Sequence, residues 1–276
     1  MQLAFLKMHG TGNRIIVVDQ RRENRPPPKT GELRRLGNSD TGPGFDQLMW
    51  VGPANDPEMA ASYRVFNADG SEVEQCGNGV RCVAWMLARE DGAAHAYMLE
   101  SPAGLIEARV LDHNTVAANM GPPELDPARI PFTADSQEEL YPLAVNGETL
   151  SVSVLSMGNP HCVLDVDDTV TADVEGLGPA IECHRRFPAC TNVGFMHIRD
   201  RRNIELRVHE RGVGETPACG TGACAALVSG QRRNLLDEEV TVRQRGGQVV
   251  VSWRGGFEPV WLTGNVELIS EGMIDL

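Results

Sequence analysis

Short runs of alternating apolar and polar residues recur along the whole chain. LAFLKM (3–8), RIIVVD (14–19), QLMWV (47–51), SYRVF (62–66), LIEARVL (105–111) and TVAAN (115–119) form a first series. LSVSVLSM (150–157), CVLDV (162–166), NVGFMHI (192–198), NIELRVH (203–209), EVTVRQ (239–244) and QVVVSW (248–253) form a second. Their alternation and β-branched content predict strands, and Asp69-Gly70 and Gly246-Gly247 read as turns. Two segments follow another period. GVRCVAWMLARED (79–91) and GACAALVSGQRRNLL (222–236) carry apolar residues three and four positions apart and predict helices. The Pro-rich, aperiodic MGPPELDPARIP (120–131) is expected to be a linker between domains.

The glycine motifs repeat with this pattern. Cys76-Gly77-Asn78-Gly79 opens the first helix and Cys219-Gly220-Thr221-Gly222 opens the second. Asn13, after Gly12, lies 63 positions before Cys76, and Asn159, after Gly158, lies 60 before Cys219. Gln47 precedes Cys76 by 29 and Asn192 precedes Cys219 by 27. Three landmarks in one order at nearly one spacing point to two homologous α+β halves.

Composition narrows the class. The 276 residues, 41% hydrophobic and 23% charged, suit one large globular domain or two ordinary ones. A net charge of −13 argues against nucleic acid, which needs clustered positive charge. Only Lys7 and Lys29 of the 25 basic residues are lysines, which reads as coding bias rather than arginine chemistry. Seven cysteines without a C-x-x-C pair predict reduced thiols. Residues 1–9 lack the charge and apolar stretch of a signal peptide, and no apolar run approaches ~18 residues. A soluble, cytoplasmic protein without a membrane partner is expected.

A cysteine at the mouth of a helix, followed by Gly-x-Gly, has a defined chemistry. The mouth presents unpaired N–H groups and a partial positive charge, and glycine lets a ligand approach the backbone. It binds a carboxylate, and the same field is expected to favour thiolate over thiol. Two such mouths would hold one carboxylate with a proton carrier on either side of the adjacent carbon. That suits inversion at an α-carbon: one group removes the proton from one face, the other returns a proton to the opposite face. No pyridoxal-binding motif offers a rival electron sink, so no cofactor is expected. His161 and Glu210 could take or return thiol protons. Asn13, Gln47, Asn67, Asn78, Asn159 and Asn192 could grip ammonium and carboxylate groups, and Arg211 offers a fork for a second carboxylate.

Other features read as structural. Cys82, Cys162 and Cys224 fall on apolar positions and are expected in the core. Cys183, His184 and Cys190 lack a fourth zinc ligand, so no metal site is expected. The arginine runs at 21–25, 199–202 and 232–233 are read as solvated surface.

The motifs Lys7-Met8-His9-Gly10-Thr11-Gly12-Asn13, Gly44-Phe45-Asp46-Gln47, Phe66-Asn67-Ala68-Asp69-Gly70-Ser71, Gln75-Cys76-Gly77-Asn78-Gly79-Val80-Arg81-Cys82, Met157-Gly158-Asn159-Pro160-His161, Thr191-Asn192-Val193-Gly194-Phe195, Glu210-Arg211-Gly212 and Ala218-Cys219-Gly220-Thr221-Gly222-Ala223-Cys224-Ala225 closely resemble diaminopimelate epimerases. The resemblance covers nearly the whole chain in order. It implies an α/β (α+β) fold of two pseudo-symmetric halves, each a curved mixed β-sheet wrapped around a central α-helix, with the active site in the cleft between them. The expected division is 1–120, with the C-terminal strand 266–276 returning to that half, and 121–265. The implied activity is conversion of LL- to meso-diaminopimelate, in lysine and peptidoglycan precursor biosynthesis, by a homodimer.

Carried over residue by residue, the resemblance makes Cys76 and Cys219 the acid/base thiols and His161 and Glu210 their supporting groups, without saying which serves which. Gly77, Asn78, Gly220 and Thr221 would hold the reacting carboxylate. Asn13, Gln47, Asn67, Asn159, Asn192, Glu210 and Arg211 would complete the pocket, with Arg211, Asn67 and Asn192 toward its distal end. Two positions depart from the family. Arg14-Ile15 stands where Asp-Phe is usual, and Pro217 where Gln or Leu is. The alternatives are a proline or hydroxyproline racemase-type enzyme, in which His typically stands where this chain has Asn78, and a non-catalytic paralogue whose Cys76 and Cys219 form a regulatory disulfide.

Overall fold

A computed structural model describes residues 2–73, 76–92 and 95–275. Gln75, from the first cysteine motif, and the terminal Met1 and Leu276 lie outside the described residues. The chain divides into two compact units, Met1–Asn119 with Thr263–Leu276, and Met120–Leu262.

Unit 1 contains β1 (Gln2–Gly10), β2 (Asn13–Asp19), α1 (Thr30–Gly37), β3 (Gln47–Gly52), β4 (Ala61–Asn67), β5 (Glu72–Val73), α2 (Gly77–Asp91), β6 (Ala96–Ser101), β7 (Gly104–Val110) and β8 (Thr115–Asn119). Unit 2 contains β9 (Tyr141–Val145), β10 (Glu148–Ser156), β11 (Pro160–Asp165), α3 (Val174–Glu182), β12 (Asn192–Asp200), β13 (Asn203–Glu210), β14 (Gly214–Thr216), α4 (Gly220–Arg232), β15 (Glu239–Gln244) and β16 (Gly247–Ser252). β17 (Trp261–Asn265) spans the division, and β18 (Glu267–Asp275) pairs antiparallel with β1 in unit 1.

The duplication is visible in the pairing. Along unit 1, β1–β2 is antiparallel, β2–β3 parallel across α1, β3–β4 and β4–β5 antiparallel, β4–β6 parallel across α2, and β6–β7 antiparallel. Unit 2 repeats this sequence with β10–β11, β11–β12 across α3, β12–β13, β13–β14, β13–β15 across α4, and β15–β16. The register matches too. Ala61 pairs with Leu99 as Ile204 pairs with Val242, a constant offset of 143 positions that also relates Cys76 to Cys219.

Each long helix is the centre of its own unit. α2 contacts β1, β2, β3, β7 and β8, and α4 contacts β10, β11, β12, β13 and β16. A surface helix shows one apolar stripe, but a helix enclosed by a sheet must be apolar or small nearly all round. Gly222 through Gly230 of α4 are all buried, as are Gly77 through Ala84 of α2. Cys82, Cys162 and Cys224 sit in these cores, fully covered. Burial pushes the Cys82 thiol up to about 12 and raises Cys162 as well, so both stay protonated.

The structure corrects several boundaries. Both helices begin two residues earlier than their apolar period suggests, at Gly77 and Gly220. α4 ends at Arg232 rather than residue 236, because Asn234 turns left-handed (φ 58°) and lets Leu236 fold back onto the bare Gly230 backbone. Segment 120–131 has no helix or strand, yet it is packed into unit 2. Glu124 bridges to Ser156, and Ile130 is fully buried. Arg233 is not solvated surface: its side chain is 9% exposed, pairs with Asp165 and donates to the Ser229 carbonyl. The short α1 and α3 escaped the periodicity, α1 burying only Leu33 and Leu36 and α3 containing Gly176, Gly178 and Pro179. Among the described residues no helix is long and apolar enough to cross a membrane.

Candidate active site

Each unit brings a cysteine to the N-cap of its central helix. Cys76 and Cys219 have extended backbones (φ −143° and −129°), the conformation of a residue just outside a helix. The N–H groups of Gly77 and Asn78, and of Gly220 and Thr221, lie in first turns and have no acceptor within their helices. Gly79 N–H donates to Cys76 Sγ (3.2 Å), and the Gly222 backbone N–H does the same for Cys219. Gly79 leaves room for Met49, whose Sδ would lie 2.3 Å from an added Cβ.

Beside Cys76 stands a chain of neutral amides. Its thiol donates to Gln47 Oε1, Gln47 Nε2 donates to Asn67 Oδ1 (3.2 Å), and Asn67 Nδ2 donates to Ser71 Oγ (3.1 Å). β3 and β4 place Gln47 and Asn67 directly opposite each other. Asn78 is buried, and its Oδ1 accepts from Arg81, whose fully buried guanidinium also donates to Thr11 Oγ1 (3.0 Å). Thr11 and Gly12 both have positive φ (50° and 87°), the form of a tight hairpin turn, which delivers Asn13 to the start of β2.

Around Cys219 there is a carboxylate. Glu210, at the end of β13, accepts hydrogen bonds from Thr216 Oγ1 and from the Cys219 thiol. Thr221 Oγ1 lies 3.5 Å from Cys219 Sγ, and Cys219 N–H donates to Gln244 Oε1 (2.7 Å). Burial, and then the Glu210 charge, raise the Cys219 thiol well above its ordinary value, while burial raises Glu210. This reverses the expected thiolate at Cys219. Loss of solvation and a neighbouring anion outweigh the helix mouth, which is worth at most about 2 kcal/mol. The Cys219 thiol and Glu210 share one hydrogen bond within unit 2.

His161 is a strand residue of β11 and fully buried. Its Nε2 lies 3.0 Å from Asn159 Oδ1, an acceptor, so Nε2 carries the proton, and the buried Nδ1 has no hydrogen-bond partner. Burial, then the nearby Arg211 charge, hold its pKa down at about 3, leaving a neutral imidazole with a free lone pair.

Asn192 is buried and ties two elements together. Its Nδ2 donates to Pro160 O (2.8 Å), and its Oδ1 accepts from Arg211 N–H (3.0 Å). The exposed Arg211 donates through Nη1 to Ala189 O (2.9 Å). Glu182 steadies the same turn, accepting from Gly212 N–H (2.7 Å) and meeting His209 Nε2 (2.8 Å). Sequence reasoning missed Arg81, Thr216, Gln244 and Glu182. Arg81 stood inside a quoted motif, but Gln244 and Glu182 are brought in by strand and helix ends and carry no local signal. Cys183 and Cys190 lie together, while His184 Nε2 meets Ala144 O (3.1 Å) and its Nδ1 accepts from Arg186 N–H (3.3 Å).

The fold is an α+β fold built from duplicated halves. It resembles a hydroxyproline epimerase from Agrobacterium vitis with TM-score 0.70 and 19% identity, covering 100% of this chain and 93% of that one. It resembles a phenazine biosynthesis protein of the PhzF family from Enterococcus faecalis with TM-score 0.68 and 16% identity, covering 100% of both. At such identities the likeness shows the fold. Sequence decides within it: the family described as diaminopimelate epimerase matches residues 5–125 and 153–269. The diaminopimelate epimerase of Laribacter hongkongensis is 49% identical over 281 residues, covering 100% of both chains. That of Acinetobacter baumannii is 47% identical over 278, covering 100% of this chain and 98% of the other. The chain belongs to the diaminopimelate epimerase family, and it is an isomerase, an epimerase of diaminopimelate in lysine biosynthesis.

Proposed function

We propose that the epimerisation runs by two-base proton transfer between Cys76 and Cys219, without an added cofactor. What carries this reading is the matched pair of cysteine N-caps at one register of a duplicated fold. One sulfur, as thiolate, takes the α-proton of LL-diaminopimelate. The C–H electron pair moves into the adjacent carboxylate, whose growing charge is met by first-turn N–H groups of Gly77, Asn78, Gly220 and Thr221. The other sulfur, as thiol, gives its proton to the opposite face. Substrate has lost one proton and gained one, and the two sulfurs have exchanged protonation states.

Glu210 makes the Cys219 thiolate by accepting its proton along the hydrogen bond they already share. His161, neutral and with an unpaired Nδ1, is the second supporting group of the site. Asn13, Gln47, Asn67, Asn159 and Asn192 orient the substrate's polar groups, and Arg211 receives the distal carboxylate. On the family resemblance the protein works in the cytoplasm as a homodimer, and light scattering of the purified protein checks the second point.

The deciding experiment follows solvent hydrogen. The delivering thiol is loaded from water before substrate binds. In D₂O, during the first few per cent of reaction, meso product should carry deuterium at the inverted carbon while recovered LL substrate stays protonated. Substrate α-hydrogen found in initial product would mean that one residue serves both faces.

A further inference from the structure

Seven cysteines leave two that neither the reaction nor the cores use. Cys183 caps the C-terminus of α3, and Cys190 lies two residues before β12. Their sulfurs are 3.5 Å apart, with Cys183 exposed and Cys190 partly so. The loop between them is held as a tight coil: Phe187 N–H donates to His184 O (2.7 Å), Cys190 N–H to Phe187 O (2.9 Å), and Thr191 N–H to Glu182 O (3.1 Å). Cys190 sits at φ 55°, a conformation uncommon for a residue with a side chain, and this turns its sulfur toward Cys183. A disulfide needs about 2.05 Å between sulfurs, so closure asks for an approach of roughly 1.5 Å.

We propose that Cys183 and Cys190 are a redox-active dithiol, which an anionic low-molecular-weight disulfide converts to an intramolecular disulfide, and that closing it loosens the hold on Arg211. The first step is attack by one thiolate on a sulfur of the small disulfide, expelling one small thiol and leaving a mixed disulfide. The second protein sulfur, already within van der Waals reach, loses its proton, attacks the mixed disulfide and expels the second small thiol. The two protein thiols are oxidised and the small disulfide is reduced to two thiols. A cavity of about 440 Å³ lined by Thr133, Ala134, Asp135, Arg185 and Arg186 adjoins the loop, and Arg185 supplies a guanidinium for a carboxylate of the reagent. The consequence reaches the site because Ala189, one residue before Cys190, provides the carbonyl that accepts from Arg211 Nη1. This second half rests on Arg211 receiving the distal carboxylate.

The test treats reduced enzyme with glutathione disulfide and maps tryptic peptides without reduction. Cleavage after Arg185 or Arg186 separates the two cysteines, so the bond is read as a linked peptide pair. The expected result is a 183–190 link formed while Cys76 and Cys219 remain unmodified. In that linked enzyme KM for diaminopimelate should rise about tenfold, as for loss of one charge-assisted contact, with kcat little changed. Cys183→Ser should show neither the link nor the KM change. Stable single adducts on either cysteine, or links made elsewhere, would overturn the dithiol. A linked enzyme with unchanged KM would overturn the coupling. Arg211→Ala in reduced enzyme separates the two ideas, since an unchanged KM there faults the role of Arg211 and not the disulfide.

Discussion

In unit 1 the Cys76 thiol donates to the neutral amide of Gln47, and in unit 2 the Cys219 thiol donates to the carboxylate of Glu210. The backbone around them is the same. The β4–β5 pair Val65–Val73 is repeated as the β13–β14 pair Val208–Thr216, which makes Asn67 and Glu210 equivalent positions. Likewise Ile15 opposite Gln47 corresponds to His161 opposite Asn192. On one side the positions hold Ile15, Asn67 and Arg81; on the other they hold His161, Glu210 and Cys224. Duplication supplied two similar backbones around a cysteine, and substitution within them placed both His161 and Glu210 in unit 2. A two-base reaction requires two similar sulfurs. It does not require similar surroundings: a carboxyl group stands beside the sulfur of Cys219 and the Gln47 amide beside that of Cys76.

The largest test removes the sulfurs. Cys76→Ala and Cys219→Ala should each lower kcat by ~10²–10⁴ or more, the scale of an acid–base group, with the double variant barely worse than either. Either single variant keeping more than about a tenth of the rate would break the equivalence of the two caps. Next come the matched positions that differ. Glu210→Gln should cost ~10²-fold in kcat with KM nearly unchanged, because it removes a proton acceptor. Asn67→Ala should act mainly on KM, because it removes a hydrogen bond to substrate. Equal kinetic signatures would show that the carboxylate at this register is not chemically special.

His161 gives a pH-dependent contrast with its apolar counterpart Ile15. Its folded pKa, about 3, lies below the unfolded value near 6.5, so between these pH values the unfolded chain binds a proton that the folded chain refuses. Stability from this group is therefore full above about pH 6.5 and is lost as pH falls toward 3. Between pH 7 and pH 5 the wild type should lose about 2 kcal/mol more than His161→Asn, read by urea unfolding at the two pH values. Equal losses would mean that the imidazole is not held neutral.

The smallest effect concerns the third residues of the two motifs. An added Cβ at Gly79 would meet Met49 Sδ at 2.3 Å, whereas at Gly222 the nearest atoms are Val208 Cγ2 at 3.0 Å and Cys219 Cβ at 3.3 Å. Gly79→Ala should cost about 1–3 kcal/mol of stability by overpacking. Gly222→Ala should cost less than that and appear as a lowered kcat, since its methyl presses on the reacting cysteine. Thermal melts beside rate measurements would separate the two.

The duplication and the two cysteine motifs at its centre were legible in the amino-acid sequence. Alternating runs located twelve of the strands, and two small-residue helices with Cys-Gly-x-Gly at their mouths marked the central helix of each unit. These features are local: side-chain period, backbone freedom at glycine and helix-end polarity all act within a few residues. Short elements were not legible. β9 contains Pro142 and hides behind the hairpin turn Asn146-Gly147 (φ 51° and 87°), while α1 and α3 are too brief for their periodicity to stand out. Only the tertiary structure decided the electrostatics. The protonated Cys219, the neutral His161, and the hold of Glu182 and Ala189 on the Arg211 turn depend on burial and on partners about twenty or more positions away, or on a carboxylate nine positions off across a strand end. A helix mouth favours an anion in any sequence, but whether a thiol there is charged depends on what else the fold has buried beside it, and that is set by packing over distances the sequence pattern does not record.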